Sequence, residues 1–122
     1  MKPVAQPDLS THPNPAAAPD LAAALDLLWT RFLPEIRNRV ELLETAAGAC
    51  AANQLSAAQR EAAHAAAHKL AGTLGTFNLA RGTDLAREFE MLSSGEDATD
   101  SATAHRMVSI AAELRTIVDS RK

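Results

Sequence analysis

Apolar residues recur at helical spacing along most of this chain. Leu21, Leu25, Leu28 and Phe32 form one set, and Ile36, Val40, Leu43 and Ala47 a second. Steps of three and four residues line one face of a helix. Pro34 lies between the sets. Proline suits a first helical turn and disrupts an interior one, so the pattern predicts a break around Leu33, with a short helix ahead of it. The second helix runs out between Gly48 and Asn53. Ser56 followed by Gln59 has the spacing of a capping box and opens a helix from Ala57 to about Phe77, with Asn78 as its stop. The next helix carries Leu85, Phe89 and Leu92 before a turn at Ser93–Gly95. The last begins near Thr99 and shows Met107, Ile110, Ala111, Leu114, Ile117 and Val118; Arg121 and Lys122 then favour its carboxyl-terminal dipole. The expected fold is all-α: an antiparallel four-helix bundle with an additional short N-terminal helix. There is no internal repeat.

Proline changes the picture at the start of the chain. Five of the six prolines precede residue 20, among Ala, Asn and Ser. Such a stretch has little to bury, so residues 1–19 are expected to form a flexible tail or linker. The folded domain is then residues 20–122, opening at Asp20 as a helix cap. The chain's 122 residues allow a single core. Hydrophobic residues make up 47% of the chain and aromatic ones only 3%, with no Tyr. An alanine- and leucine-rich composition favours close-packed helices over strands.

Charge and special residues narrow the function classes. The net charge is -3 and no window concentrates Lys and Arg, which argues against a nucleic-acid partner. No apolar run reaches the roughly 18–20 residues needed to span a bilayer, and the N-terminus lacks the apolar core of a secretory signal. A cytoplasmic monomer that neither spans nor binds a membrane is the expectation. Cys50 is the single cysteine, so an intrachain disulfide and a thiolate zinc cluster are both out of reach; it reads as a small buried residue.

The informative segment is AAHAAAHKLAGTLGTFNL, residues 62–79. With 100° per residue and His68 at zero, Ala63, Ala66, Leu70, Leu74 and Phe77 gather on the opposite side. They form the stripe that packs inward, and His68 must point outward. Glu61, His64, Ala65, Ala71, Gly72, Gly75 and Leu79 share its face. Two glycines inside a helix cost about 1 kcal/mol each relative to alanine. At four and seven positions beyond His68 they strip the surface beside the imidazole and let another protein's backbone come close. An exposed imidazole, whose ordinary pKa is about 6.5, is largely neutral at physiological pH and can act as a nucleophile. Attack on an activated phosphoryl group gives a labile phosphoramidate. Lys69, about a quarter turn away, can help to neutralise phosphate oxygens.

AHKLAGTLGTFNL resembles the phosphorylation motif of histidine-containing phosphotransfer (HPt) domains, summarised as H-x-L-K-G followed by a small residue three positions on. His68, Leu70, Gly72 and Gly75 match it, and LARGTDLAREFEML resembles the next family helix. The resemblance implies a four-helix bundle with an accessory amino-terminal helix. It implies phosphorylation of His68, docking against response-regulator receiver domains whose aspartate and magnesium complete the machinery, and a hybrid histidine kinase as a further partner. The docking face would comprise His64, Ala65, Ala71, Gly72, Gly75 and Leu79. This chain departs from the motif at Ala71, where the family often has lysine, with Lys69 as the candidate substitute. Asn78, where a small residue is frequent, is a milder departure.

Other readings stand beside this one. Glu61, His64 and His68 share a face at spacings a divalent metal can use, but no H-E-x-x-H occurs and no fourth ligand is evident, so no metal is expected. No cofactor is implied. His12 and His105 read as solvated residues. Glu88 and Glu90, with Arg81 and Arg87, read as a solvated charged face, and Trp29 and Phe32 as core or end cover. No glycine-rich nucleotide loop is present, so the chain is expected to be a phosphoryl carrier without ATP-dependent kinase activity. The alternative is an interaction module: the same bundle docking receivers or other partners without taking phosphate.

Overall fold

A computed structural model describes residues 17–95 and 100–121. Among them are four α-helices and no strand: α1 (Ala17–Ala51), α2 (Ala57–Thr76), α3 (Ala80–Ser94) and α4 (Ser101–Ser120). The chain divides into two units, residues 1–31 and 32–122. The first contributes the amino-terminal half of α1, on which Trp29 is buried and Leu21, Leu27 and Leu28 are exposed. The second contains the four-helix bundle, built from the remainder of α1 and the other three helices.

The expected break around Leu33 does not occur. Pro34 lies inside one continuous 35-residue helix, and the segment read as a separate N-terminal helix is its first half. Pro34 removes one backbone hydrogen bond, yet the apolar register runs on without a change of phase. Ile36, Val40, Leu43, Ala47 and Cys50 are all buried, whereas Pro34 itself faces solvent. Burial of that stripe outweighs a proline penalty of about 3 kcal/mol. The helix also starts at Ala17 rather than at Asp20, which falls in its first turn. His12, most of the expected tail, Thr99 and Lys122 lie outside the described residues.

Both helix ends nearest the site are set by local chemistry. The capping box opens α2 as expected: the Gln59 amide donates to Ser56 Oγ at 3.0 Å and the Ser56 amide donates to Gln59 Oε1 at 3.0 Å. At the ends of α1 and α2, Asn53 (φ 59°) and Asn78 (φ 61°) take the left-handed conformation. Each lets the following amide reach back to a free carbonyl, Gln54 to Ala49 at 2.7 Å and Leu79 to Leu74 at 2.9 Å. The reversal at Asn78 is tight and turns the chain directly into α3. Asp100 caps α4, its carboxylate accepting from the Ala102 amide at 3.4 Å.

Neighbouring helices run antiparallel, and paired side chains record it. Arg37 meets Asp119 and Glu44 meets Arg115 between α1 and α4, while Arg81 meets Glu113 and Arg106 meets Glu88 between α3 and α4. Between α2 and α3, Thr83 Oγ1 donates to the Ala71 carbonyl at 3.0 Å, and buried Gly82 brings its backbone against Leu74. The core between them is Leu43, Leu70, Leu74, Leu85, Phe89, Met107, Ile110 and Leu114, each 0–1% exposed. Cys50 is buried as expected, and burial pushes its thiol pKa up.

Two helical glycines, one in the α2–α3 seam and one outside it, should therefore respond oppositely to alanine. A Cβ at Gly82 would sit 2.9 Å from Leu74 Cδ1, whereas one at Gly72 would meet nothing within 4 Å. Urea unfolding of Gly82→Ala should show a loss of about 1–3 kcal/mol through overpacking. Gly72→Ala should gain about 0.5–1 kcal/mol from helix propensity. Equal changes in the two variants would refute this packing. The ion pairs generate a second expectation. Hydrogen bonds from Arg115, Arg106 and Arg81 hold the carboxyls of Glu44, Glu88 and Glu113 below the ordinary glutamate value of 4.5. Depressed carboxylates stabilise the fold above their unfolded pKa and lose that contribution as pH falls through the folded one. Thermal melts should thus decline below about pH 4.5, and Arg115→Gln should flatten the decline.

Candidate functional site

The stripe expected on α2 faces inward: Ala63, Ala66, Leu70, Leu74 and Phe77 are each 5% exposed or less. His68 stands on the other side with 74% of its side chain exposed. Its imidazole is nevertheless held. Nδ1 lies 2.9 Å from Glu90 Oε2 on α3. A carboxylate only accepts, so Nδ1 carries the proton and donates, which leaves the lone pair of the neutral ring on Nε2. The two ring nitrogens point away from each other, and Nε2 therefore faces away from α3, on the exposed side of the ring.

Glu90 is itself anchored. His64 Nδ1 donates to the Glu90 carbonyl at 3.1 Å, and Ser93, 1% exposed, donates its hydroxyl to the same carbonyl at 3.0 Å. His64 Nε2 is 3.8 Å from the Glu90 carboxylate. His64 thus ties α2 to the backbone of α3 where Glu90 projects. The reading of Glu88, Glu90, Arg81 and Arg87 as a merely solvated face is corrected: Glu90 orients the imidazole, Glu88 binds Arg106 in two bonds of 2.6 and 2.7 Å, and Arg81 binds Glu113. Arg87 makes no ion pair among the described residues.

A groove flanks His68 on each side. One, of about 500 Å³, lies towards α1 and is lined by Lys69, Thr73, Thr76, Phe32 and Arg39. The other, of about 480 Å³, lies towards α3 and is lined by His64, Ala71, Arg87, Glu90 and Met91. His68 and Gly72 border both. Lys69 and Ala65 are exposed as the wheel requires. Three of the other singled-out residues sit differently. Ala71 is 6% exposed, because α3 closes over that flank and Thr83 hydrogen-bonds its carbonyl. Gly75 is exposed, and a Cβ there would lie 3.4 Å from Thr83 Oγ1, in contact with α3, so its flank is not open as that of Gly72 is. Leu79 lies beyond the end of α2 and borders a separate cavity with Arg81, Ile117 and Arg121; the structure does not bring it to His68. Among the described residues no group of three or more His, Cys, Asp or Glu side chains is arranged to hold a metal ion, and no helix is long and apolar enough to cross a membrane.

Comparison with protein families matches residues 27–120 to the Hpt domain. The chain belongs to the Hpt domain family. Hpt domains are phosphotransfer modules of two-component signalling, and the four-helix bundle is the fold expected of one. The chain is also similar to Protein RcaC of Microchaete diplosiphon, at 32% identity over 97 residues. That alignment covers 80% of this chain and 15% of the relative, so the chain spans only a small part of RcaC. No solved structure matches. In this Hpt domain the matched region contains His68, Glu90 and both grooves.

The His68–Glu90 bond predicts a single tautomer. Long-range 15N–1H NMR at a pH where the ring is neutral should show His68 protonated on Nδ1, and Glu90→Ala should convert it to a mixture. A protonated Nε2 in the wild-type protein would contradict the assignment.

Proposed function

We propose that this Hpt domain carries a phosphoryl group on His68, received from or delivered to the aspartate of a response-regulator receiver domain. The observation that supports this reading is an exposed imidazole whose Nδ1 is occupied by Glu90, leaving Nε2 free to react. In the forward step the Nε2 lone pair forms a bond to the phosphorus of the aspartyl phosphate. The phosphorus–oxygen bond breaks, and the aspartate carboxylate leaves with the electron pair. The ring becomes a phosphoryl-imidazolium whose positive charge is shared over Nδ1–H, which Glu90 accepts. Reversal returns the group to an aspartate. The carrier's own part is to position the ring and to help neutralise charge, on which phosphoryl transfer rests.

The same geometry supports a docking face around the ring. His64, Ala65 and Gly72 surround His68 on the exposed side, with Lys69 at the edge, while Ala71 forms part of the floor on the α3 side. Receiver domains are the partners in this reading, with a hybrid histidine kinase as the source of phosphate upstream. The domain itself neither binds ATP nor starts the relay. The second reading, a docking module that takes no phosphate, draws on Ala71 standing where the family motif has lysine.

Incubation with a phosphorylated receiver separates the two. The carrier reading expects acid-labile phosphate on the wild-type domain and none on His68→Gln, whose helical signal should be unchanged. Labelling of His68→Gln at the wild-type level would overturn it. Gly72→Arg, which fills open space beside the ring without touching the core, should weaken receiver binding about tenfold or more, in line with the loss of one or two kcal/mol at a close-approach position. Unchanged affinity would show that partners do not approach over Gly72.

A further inference from the structure

We propose that Arg39 of α1 binds the phosphoryl group carried on His68, with Lys69 beside it, and that Glu35 holds Arg39 in place until the group arrives. The proposal rests on His68 being the phosphorylated residue, and it concerns how the added charge is met.

A phosphoryl group on His68 brings about two negative charges to a ring whose other nitrogen already faces the Glu90 carboxylate. That arrangement needs a cation on the Nε2 side. Arg87 is the cation of the α3 groove, but that is the side to which Nδ1 points. Nε2 is turned away from α3. Across α2 the order of side chains runs from Ala71 and His64 on the α3 flank, through His68, to Gly72, Thr76 and Lys69 on the α1 flank. The opposite wall of the groove on that flank carries Arg39.

Arg39 differs from the structural arginines. Arg81, Arg106 and Arg115 each make two hydrogen bonds to a carboxylate, at 2.6 to 3.2 Å. Arg39 makes one contact of 3.4 Å to Glu35, one turn earlier on the same helix. Its side chain is only 20% exposed, so the groove walls hold it, while Glu35 is 58% exposed. A same-helix pair of this kind is weak and easily exchanged. The guanidinium fork therefore retains donors for two phosphate oxygens, a geometry that a lysine does not supply. Glu35 keeps the free groove from holding an uncompensated cation and swings to solvent when phosphate takes its place.

The test uses phosphoramidate, which phosphorylates histidine without a partner protein: the Nε2 lone pair bonds to phosphorus as the nitrogen–phosphorus bond of the reagent breaks and ammonia leaves. In 15N-labelled wild-type protein, the Arg39 Nε–H signal should shift when His68 becomes phosphorylated, while those of Arg81, Arg106 and Arg115 stay in place. A neighbouring cation favours the doubly charged phosphoryl group. The 31P titration midpoint should therefore rise by about half a pH unit or more in Arg39→Gln, fall in Glu35→Gln, and be partly restored in Arg39→Lys. An unmoved Arg39 signal on phosphorylated wild-type protein overturns the proposal even if Arg39→Gln fails to fold, as does a shift of Arg87 in its place. If the titrations behave as expected but no phosphate passes to or from any receiver, Arg39 is supported and the carrier reading is overturned. Failure of His68 to take phosphate at all overturns both.

Discussion

The hydrogen bond between His68 Nδ1 and the Glu90 carboxylate is the contact from which the rest of the site takes its geometry. An exposed histidine on a helix has two chemically similar nitrogens and a free ring, and neither feature suits a carrier that must present one atom to a partner. A carboxylate 2.9 Å from Nδ1 removes both freedoms together. It selects the tautomer and stops the ring, and it does so from a different helix, so the precision of the site depends on how closely α2 and α3 are held. Gly82 against Leu74, Thr83 bonded to the Ala71 carbonyl, and His64 and Ser93 on the Glu90 carbonyl are the fastenings of that seam. Each lies within the hairpin formed by α2, the tight reversal at Asn78, and α3.

The same bond divides the surroundings of His68 into two unlike sides. Towards α3 the ring meets negative charge, and the neighbouring groove is floored by Ala71. Towards α1 it meets Gly72, two threonines and two cations, with the Glu35 carboxylate paired to one of them. Glycine at position 72 is then not a general loosening of the helix. It lies on the border of both grooves and, in the proposed docking mode, removes side-chain bulk beside the ring. Gly75, one turn further on, belongs as much to the contact with α3 as to the open face. Two glycines that look equivalent on a helical wheel thus differ because a neighbouring helix covers the flank of one of them.

Much of the fold was legible before any coordinates. The capping box at Ser56, the stop at Asn78, the inward stripe of α2 and the outward His68 all follow from local spacing, and the family motif follows from the same residues. Pro34 was misread because a local penalty was weighed without the tertiary term. Trp29 and Ile36, both buried, stand seven residues apart, which keeps the apolar phase across the proline, and that phase is the stronger signal. Glu90 was missed for a related reason. Nothing in its own neighbourhood distinguishes it from Glu88, and only a fold-level operation does: turning the chain back at Asn78 sets position 68 opposite position 88, within a turn of Glu90. Leu79 illustrates the opposite error, since a wheel drawn past the end of a helix assigns faces to residues that no longer have them.

The departure at Ala71 takes on a different meaning once burial is known. At 6% exposure its side chain lies on the flank covered by α3, beside the Thr83 hydroxyl bond and on the side that Nδ1 faces. A long cation rooted there would begin among the groups that fix Glu90 and would have to reach past the ring to arrive at Nε2. The α1 flank has no such obstruction, and its two basic residues start from the wall and the rim of the groove on that side of the ring. Alanine at position 71 therefore removes charge from the side of the site that already holds a carboxylate and leaves the α2–α3 seam free to close. On the proposed reading, the positive charge that a phosphorylated His68 calls for comes from Arg39 on α1, a helix the sequence motif does not reach, with Lys69 of α2 beside it.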